Sequence, residues 1–183
     1  MKVQVIYSSL SGQTKKVAQA IFDAVAADDK TLHDLKDGEP ALDGDVLLLG
    51  YWVDKGGPNA EMKAFLPKIQ GKAVGIFCTL GYYADSSHAQ KSLDAGIALV
   101  KEQNILLGSY VCNGALSESI IARFRKAGTS GPHSASPENE LRWEILQSHP
   151  TQAELNLAAE RFRERVYLYQ KYRENGLAFS SIV

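Results

Sequence analysis

Residues 7–14, Tyr-Ser-Ser-Leu-Ser-Gly-Gln-Thr, set three serines, a glycine and a threonine behind the apolar run Val3-Gln4-Val5-Ile6-Tyr7 and ahead of a helical pattern. Hydroxyls and backbone amides at a strand-to-helix junction suit a small dianion such as a phosphate. Donors converge on it, the helix N-terminus adds a favourable dipole, and no cationic side chain is required. Gly12 allows close backbone approach. The spacing is neither G-x-x-x-x-G-K-[ST] nor G-x-G-x-x-G, so a dinucleotide is disfavoured. Two further stretches combine aromatics with glycines. Residues 50–58 hold Tyr51, Trp52, Val53, Gly56 and Gly57, and residues 79–85 hold Thr79, Leu80, Gly81, Tyr82 and Tyr83. Both follow apolar runs, and together they suit a flat heteroaromatic ring held between two walls.

The elements that position these stretches follow from periodicity. Residues 2–7, 46–49, 73–78 and 105–112 read as strands, with 31–35 as a short edge strand. The run Val46-Leu47-Leu48-Leu49 is continuously apolar, as a strand buried on both faces requires. Helical spacing covers 13–27, with Val17, Ala20, Ile21, Ala24 and Val25 on one face. It also covers 59–66, where Asn59 is the cap, and 87–102. Strands alternating with helices imply α/β architecture: a doubly wound parallel sheet of five strands in the order 2-1-3-4-5, helices on both faces. In such a sheet, ligands bind outside the carboxyl ends of the strands at the topological switch point, where all three stretches fall.

Beyond the fifth strand, residues 113–150 form a helical extra segment, with helices near 117–127 and 137–147 around a Gly-, Ser- and Pro-rich loop. Thr151 and Glu154 then form a capping box that opens a helix to about Glu174. Its buried stripe is Leu155, Ala158, Ala159, Phe162, Val166 and Tyr169.

With 183 residues, 45% hydrophobic and 22% charged, the chain fits a single soluble domain over 1–183. A net charge of −1 gives no reason to expect nucleic acid. No apolar run is long enough for a membrane span, and no signal peptide precedes the first strand. Cys78 and Cys112 read as two buried thiols in a reducing compartment, so a cytoplasmic location is expected. The four histidines, His33, His88, His133 and His149, show no metal-ligand spacing and read as surface or capping residues. His133 is singled out because its loop approaches the ring site in this arrangement.

On these residues the chain resembles the flavodoxins. The family's [ST]-x-[ST]-G-x-T pattern is matched by Ser9-Leu10-Ser11-Gly12-Gln13-Thr14. The resemblance implies FMN as cofactor, with its phosphate in this loop and its isoalloxazine ring between the two aromatic loops. GYWVDKGGPN and CTLGYYADS are similar to small single-domain members of the family in anaerobic and fermentative bacteria. The resemblance further implies an electron carrier between redox partner proteins, a donor and an acceptor reductase. A peptide unit at Gly56-Gly57 would reorient to accept a hydrogen bond from flavin N5–H. Two readings stay open beside it: an FMN-dependent NAD(P)H:quinone or substrate reductase, for which a homodimer would complete the pocket, and a binding module that has lost FMN. The chain departs from the family in its near-neutral charge. Residues 113–150 are either a packed extension or a basic rim over the flavin that carries Arg123, Arg125 and Lys126.

Overall fold

The structure is a computed structural model that describes residues 1–126 and 134–182. In chain order the elements are β1 (Lys2–Tyr7), α1 (Gln13–Ala24), β2 (Asp29–Asp34), β3 (Val46–Asp54), β4 (Gly57–Pro58), α2 (Ala60–Phe65), β5 (Ala73–Leu80), α3 (Ser87–Ile97), β6 (Ile105–Asn113), α4 (Glu118–Lys126), α5 (Pro137–Leu146) and α6 (Gln152–Glu174). Five strands pair in parallel in the order β2-β1-β3-β5-β6, the order expected from the sequence.

Both faces of the sheet are covered. Val3, Val5, Val46, Leu48 and Phe77 pack against Val17, Ala18 and Ile21 of α1 and Ala158, Phe162 and Val166 of α6. On the opposite face, Ile6, Leu47, Leu49, Val74 and Ile76 pack against Met62 and Phe65 of α2 and Leu93 and Ile97 of α3. In α1 the buried residues are Thr14, Val17, Ala18 and Ile21. The stripe therefore runs through Ala18 rather than Ala20 and Ala24, and its first turn buries a hydroxyl. In α6 the deepest positions are Ala158, Phe162 and Val166. The Thr151–Glu154 capping box that opens it is formed.

Several elements differ from the sequence expectation: α1 ends at Ala24 instead of 27, the short strand β4 was not expected, and β3 and α3 differ most in length. β3 runs nine residues to Asp54, where four apolar residues and a loop were expected. Gly50 continues the strand because the Phe77 ring occupies the space of a side chain there: a Cβ would stand 2.2 Å from it. The helix expected over 87–102 ends at Ile97, and a 3-10 turn follows at Lys101–Gln103. The buried Tyr51 hydroxyl donates to the Ser92 carbonyl at 2.8 Å in the middle of α3 and lies against Gly96.

Phe162 couples the last helix to the sheet. Its ring meets Phe77 edge-on at 6.0 Å and fills the space over Gly75. Phe162→Ala is expected to destabilise the protein by about 3–5 kcal/mol, measured as a lowered urea midpoint at unchanged slope.

Candidate functional site

The carboxyl ends of β1, β3 and β5 open into one cleft of about 670 Å³. That is a volume suited to a cofactor-sized ligand. Its first wall is the loop from β1 to α1. Gly12 is the N-cap of α1 at φ 84°, a left-handed conformation that costs glycine little, and makes no side-chain capping bond. The Lys15 amide donates to Ser9 Oγ at 3.3 Å and the Lys16 amide to the Gly12 carbonyl at 3.1 Å. Ser11 Oγ donates to the Ala115 carbonyl at 3.3 Å. Gln13 lines the cleft, and its Oε1 is buried without a hydrogen-bond partner among the described residues.

Beneath this loop, Thr14 Oγ1 and Thr79 Oγ1 share a buried hydrogen bond of 2.9 Å. It ties the start of α1 to the end of β5. Ser8 Oγ donates to Glu61 at 2.6 Å and accepts from Asn59 Nδ2 at 2.8 Å, which ties β1 to α2.

The second wall is a hairpin. Val53 pairs with Pro58 and Asp54 with Gly57, so Lys55 and Gly56 are the two turn residues, at φ 50° and 81°. Positive φ at both positions is the signature of the tight turn that matches strand twist, and only Gly56 takes it without steric cost. Trp52 and Gly56 face the cleft, and the strand partner of Trp52 is Thr79.

The third wall follows β5. Asn113 Oδ1 accepts from the Ala84 amide at 2.8 Å, so the end of β6 holds this loop. Tyr82 lines the cleft and meets Tyr83 edge-on at 5.1 Å and His88 at 6.1 Å.

The segment after β6 forms the roof. Gly114, Ala115, Leu116, Ile120, Arg123 and Phe124 all line the cleft. Leu116 sits in the notch left by Gly81, where a Cβ would stand 2.3 Å from it. Phe124 packs on Trp143 of α5 at 5.7 Å. Arg125 bonds Glu140 through Nε at 2.8 Å, so it joins α4 to α5, whereas Arg123 and Lys126 make no ion pair among the described residues. Arg142 of α5 is 5% exposed. Its guanidinium carbon stands 4.6 Å from the Tyr82 ring centroid and 5.9 Å from that of Tyr83. Such stacking recovers ~2 kcal/mol when desolvated. Burying an ion costs several kcal/mol, so the contact alone does not offset it.

Of the residues expected at the site, Leu10, Ser11, Gln13, Trp52, Val53, Gly56, Thr79, Leu80, Gly81 and Tyr82 line the cleft. Ser9, Gly12 and Thr14 shape the loop behind it. Gly57 is the paired residue that closes the hairpin. Tyr83, 45% exposed, stands outside the cleft. Tyr51 is fully buried under α3 and belongs to the core, because the strand alternation that turns Trp52 toward the cleft turns Tyr51 away. A rim from residues 113–150 carrying Arg123 was one of the two readings of that segment, and Arg123 lines the cleft; Leu116, Ile120, Phe124, Arg142 and His88 were not singled out for the site, since nothing local places a segment 30 residues further on over an earlier loop. His133, with Gly128, Gly131 and Pro132, lies outside the described residues. His149 Nδ1–H donates to the Glu154 carboxylate at 2.7 Å beside the capping box. No group of three His, Cys, Asp or Glu that could hold a metal ion occurs among the described residues.

The strand order, the serine-threonine loop and the two aromatic walls at one switch point define a flavodoxin-type protein. The chain belongs to the Flavodoxin domain family, whose model matches residues 4–163. It is 33% identical over 159 residues to the flavodoxin-like domain-containing protein BilS of Clostridioides difficile, covering 85% of this chain and 90% of that protein. Solved flavodoxins share the fold. An archaeal one superposes with a TM-score of 0.58 at 14% identity, covering 93% of this chain and 99% of its own. That of Fusobacterium nucleatum, bound to flavin mononucleotide, gives 0.52 at 16%, covering 93% and 97%. Among the described residues no helix is long and apolar enough to cross a membrane.

Cys78 and Cys112 are buried free thiols near the cleft floor. Cys112 pairs in register with Thr79, one residue beyond Cys78, so the two side chains occupy opposite faces of the sheet and belong to different cores. Burial pushes the Cys78 thiol up to about 12, and burial together with the Glu154 charge raises Cys112 as well. The unfolded thiol loses its proton near ~8.5, while the folded one keeps it. The stabilisation is therefore complete below that pH and is lost as pH rises toward about 12. Between about pH 8 and about pH 9.5 wild type should lose about 1 kcal/mol more than Cys78→Ala, read from urea midpoints.

Proposed function

We propose that this chain binds FMN non-covalently and carries electrons between a donor and an acceptor reductase. The observation that carries the reading is the left-handed Gly12 N-cap, which leaves the first amides of α1 without a side-chain cap, beside a cofactor-sized cleft with two aromatic walls. The flavodoxin of Fusobacterium nucleatum has flavin mononucleotide bound, which supports the same ligand here. FMN supplies the redox chemistry when bound; the protein supplies binding, orientation and electrostatics.

The residues divide that work. Leu10, Ser11 and Gln13 face the phosphate, with loop amides and the Ser11 hydroxyl as donors and the α1 dipole behind them, while Ser9, Gly12 and Thr14 hold the loop in shape from behind. Trp52 and Tyr82 wall the ring, while Thr79 and Leu80 line its floor. Val53 and Gly56 border the N5 edge, and the Gly56-Gly57 peptide is the acceptor for a flavin N–H. Leu116 and Phe124 exclude water from above, which strengthens every charge interaction inside. No side chain here need act as a general acid or base. Arg123 and Lys126 at the rim steer an acidic redox partner, a role that Arg125 cannot share because Glu140 neutralises it.

The test is uptake of FMN by the purified protein. Ser11→Asp sets a carboxylate against the phosphate dianion and should weaken FMN binding at least tenfold, about 1.4 kcal/mol. A dissociation constant within threefold of wild type would remove the phosphate assignment. Replacing Gly56 by Val strains the turn and should bring the two one-electron potentials of the bound flavin closer together. Electron transfer from the reduced protein to ferricyanide, an anionic acceptor, should slow several-fold in Arg123→Gln, with a flatter salt dependence. Steady NAD(P)H oxidation by the pure protein would instead assign a substrate reductase.

A further inference from the structure

Arg142 places a permanent positive charge behind one wall of the cleft. It is 5% exposed, and among the described residues it has no ion-pair partner and its Nε no hydrogen-bond acceptor. Arginine does not shed its proton on burial, so the charge cannot be relieved by titration. A buried charge is ordinarily paired or bonded throughout. This one instead stacks on Tyr82, at 4.6 Å, and on Tyr83, at 5.9 Å. Tyr82 reaches the cleft, whereas Arg142 does not. The tyrosine ring therefore separates the guanidinium from the cleft contents, and the low local dielectric carries the field across it. The charge comes from α5, in the segment beyond the five strands, and Trp143 beside it anchors that helix against Phe124 of the roof.

A cation held this way gains its missing counter-charge if an anion forms on the other side of Tyr82. An oxidised flavin ring is neutral and a fully reduced one is anionic, so the counter-charge would appear only on reduction. We propose that Arg142 is a positioning residue that acts through Tyr82: it fixes that ring as the cleft wall and stabilises the negative charge on the reduced flavin, raising the potential of the second one-electron step. This rests on the FMN reading above. It also gives α5, within residues 113–150, a role beyond covering the sheet edge: Lys55 of the hairpin lines the cleft directly, whereas Arg142 acts from behind Tyr82.

The experiment is a reductive titration with dithionite of FMN-loaded wild type, Arg142→Met and Arg142→Lys, with both one-electron potentials recorded. Arg142→Met keeps the length and apolar stem but loses the charge. Its second potential should fall by the equivalent of about tenfold in the stability of the fully reduced form, ~59 mV for one electron. Its affinity for oxidised FMN should stay within threefold of wild type, because the oxidised ring gives the charge little to act on. Arg142→Lys, which restores the charge, should return the second potential to within a threefold equivalent of wild type. Arg142→Gln serves as the neutral variant if Arg142→Met does not fold. A merely structural role would weaken oxidised FMN binding or lower stability and leave the second potential in place; that result overturns the proposal. Failure of wild type to bind FMN overturns the cofactor reading itself, and is seen before any variant is titrated.

Discussion

A parallel sheet covered by helices on both faces meets solvent only at its edges and at the ends of its strands. Here α1 and α6 cover one face and α2 and α3 the other, and every strand but the edge strand β2 is apolar through most of its length. Chemistry that needs polar groups has nowhere to go but the strand ends. The carboxyl ends are the useful ones, because helix N-termini lie there and present unsatisfied amides. The buried Thr14–Thr79 hydrogen bond is the local expression of this constraint. It fixes the first turn of α1 to the end of β5, so that the serine loop and the tyrosine loop keep one spacing.

The roof answers a second demand of the same geometry. An open cleft at a sheet edge stays wet, and charge interactions inside it are weak. Residues from β6 to α4 close it from above, seated through Leu116 in the notch at Gly81 and through the Ala115 amide on the His149 carbonyl. Glu154 consolidates that arrangement. One carboxylate caps α6, accepts from the Thr151 amide at 2.6 Å and meets His149 at 2.7 Å. A long helix that packs the core therefore also anchors the cover of the site.

Charge is distributed in the same economical way. Lys2, Lys68 and Arg173 pair with Asp43, Glu39 and Asp45, which accounts for much of the acidic stretch at residues 28–45 as solvated ion pairs far from the cleft. Such exposed pairs contribute little to stability. Arg123, which lines the cleft, and Lys126, three residues further along α4, make no such pairs among the described residues. A protein with a net charge of −1 thus leaves Arg123, which lines the cleft, without a paired carboxylate among the described residues.

The strand order, the serine-threonine loop and the capping box were legible in the sequence because each depends on neighbours within a few residues or on a repeat of two or 3.6. Val46 to Leu49 can be buried on both faces only in the middle of a parallel sheet, and Thr151 and Glu154 satisfy each other without outside help. Tertiary structure alone decided which aromatics reach the cleft. Tyr51 and Trp52 are adjacent and chemically alike, but a strand that runs on to Asp54 sends them to opposite sides. Its length was hidden because Gly50 reads as a terminator until the Phe77 ring is seen to fill its place. Tyr82 and Tyr83 were likewise inseparable until Arg142, some 60 residues later in the chain, stacked closer to the first. Local pattern reports which residues can be buried; which partner buries them is a long-range contact, and a single sequence carries no periodic signal for it.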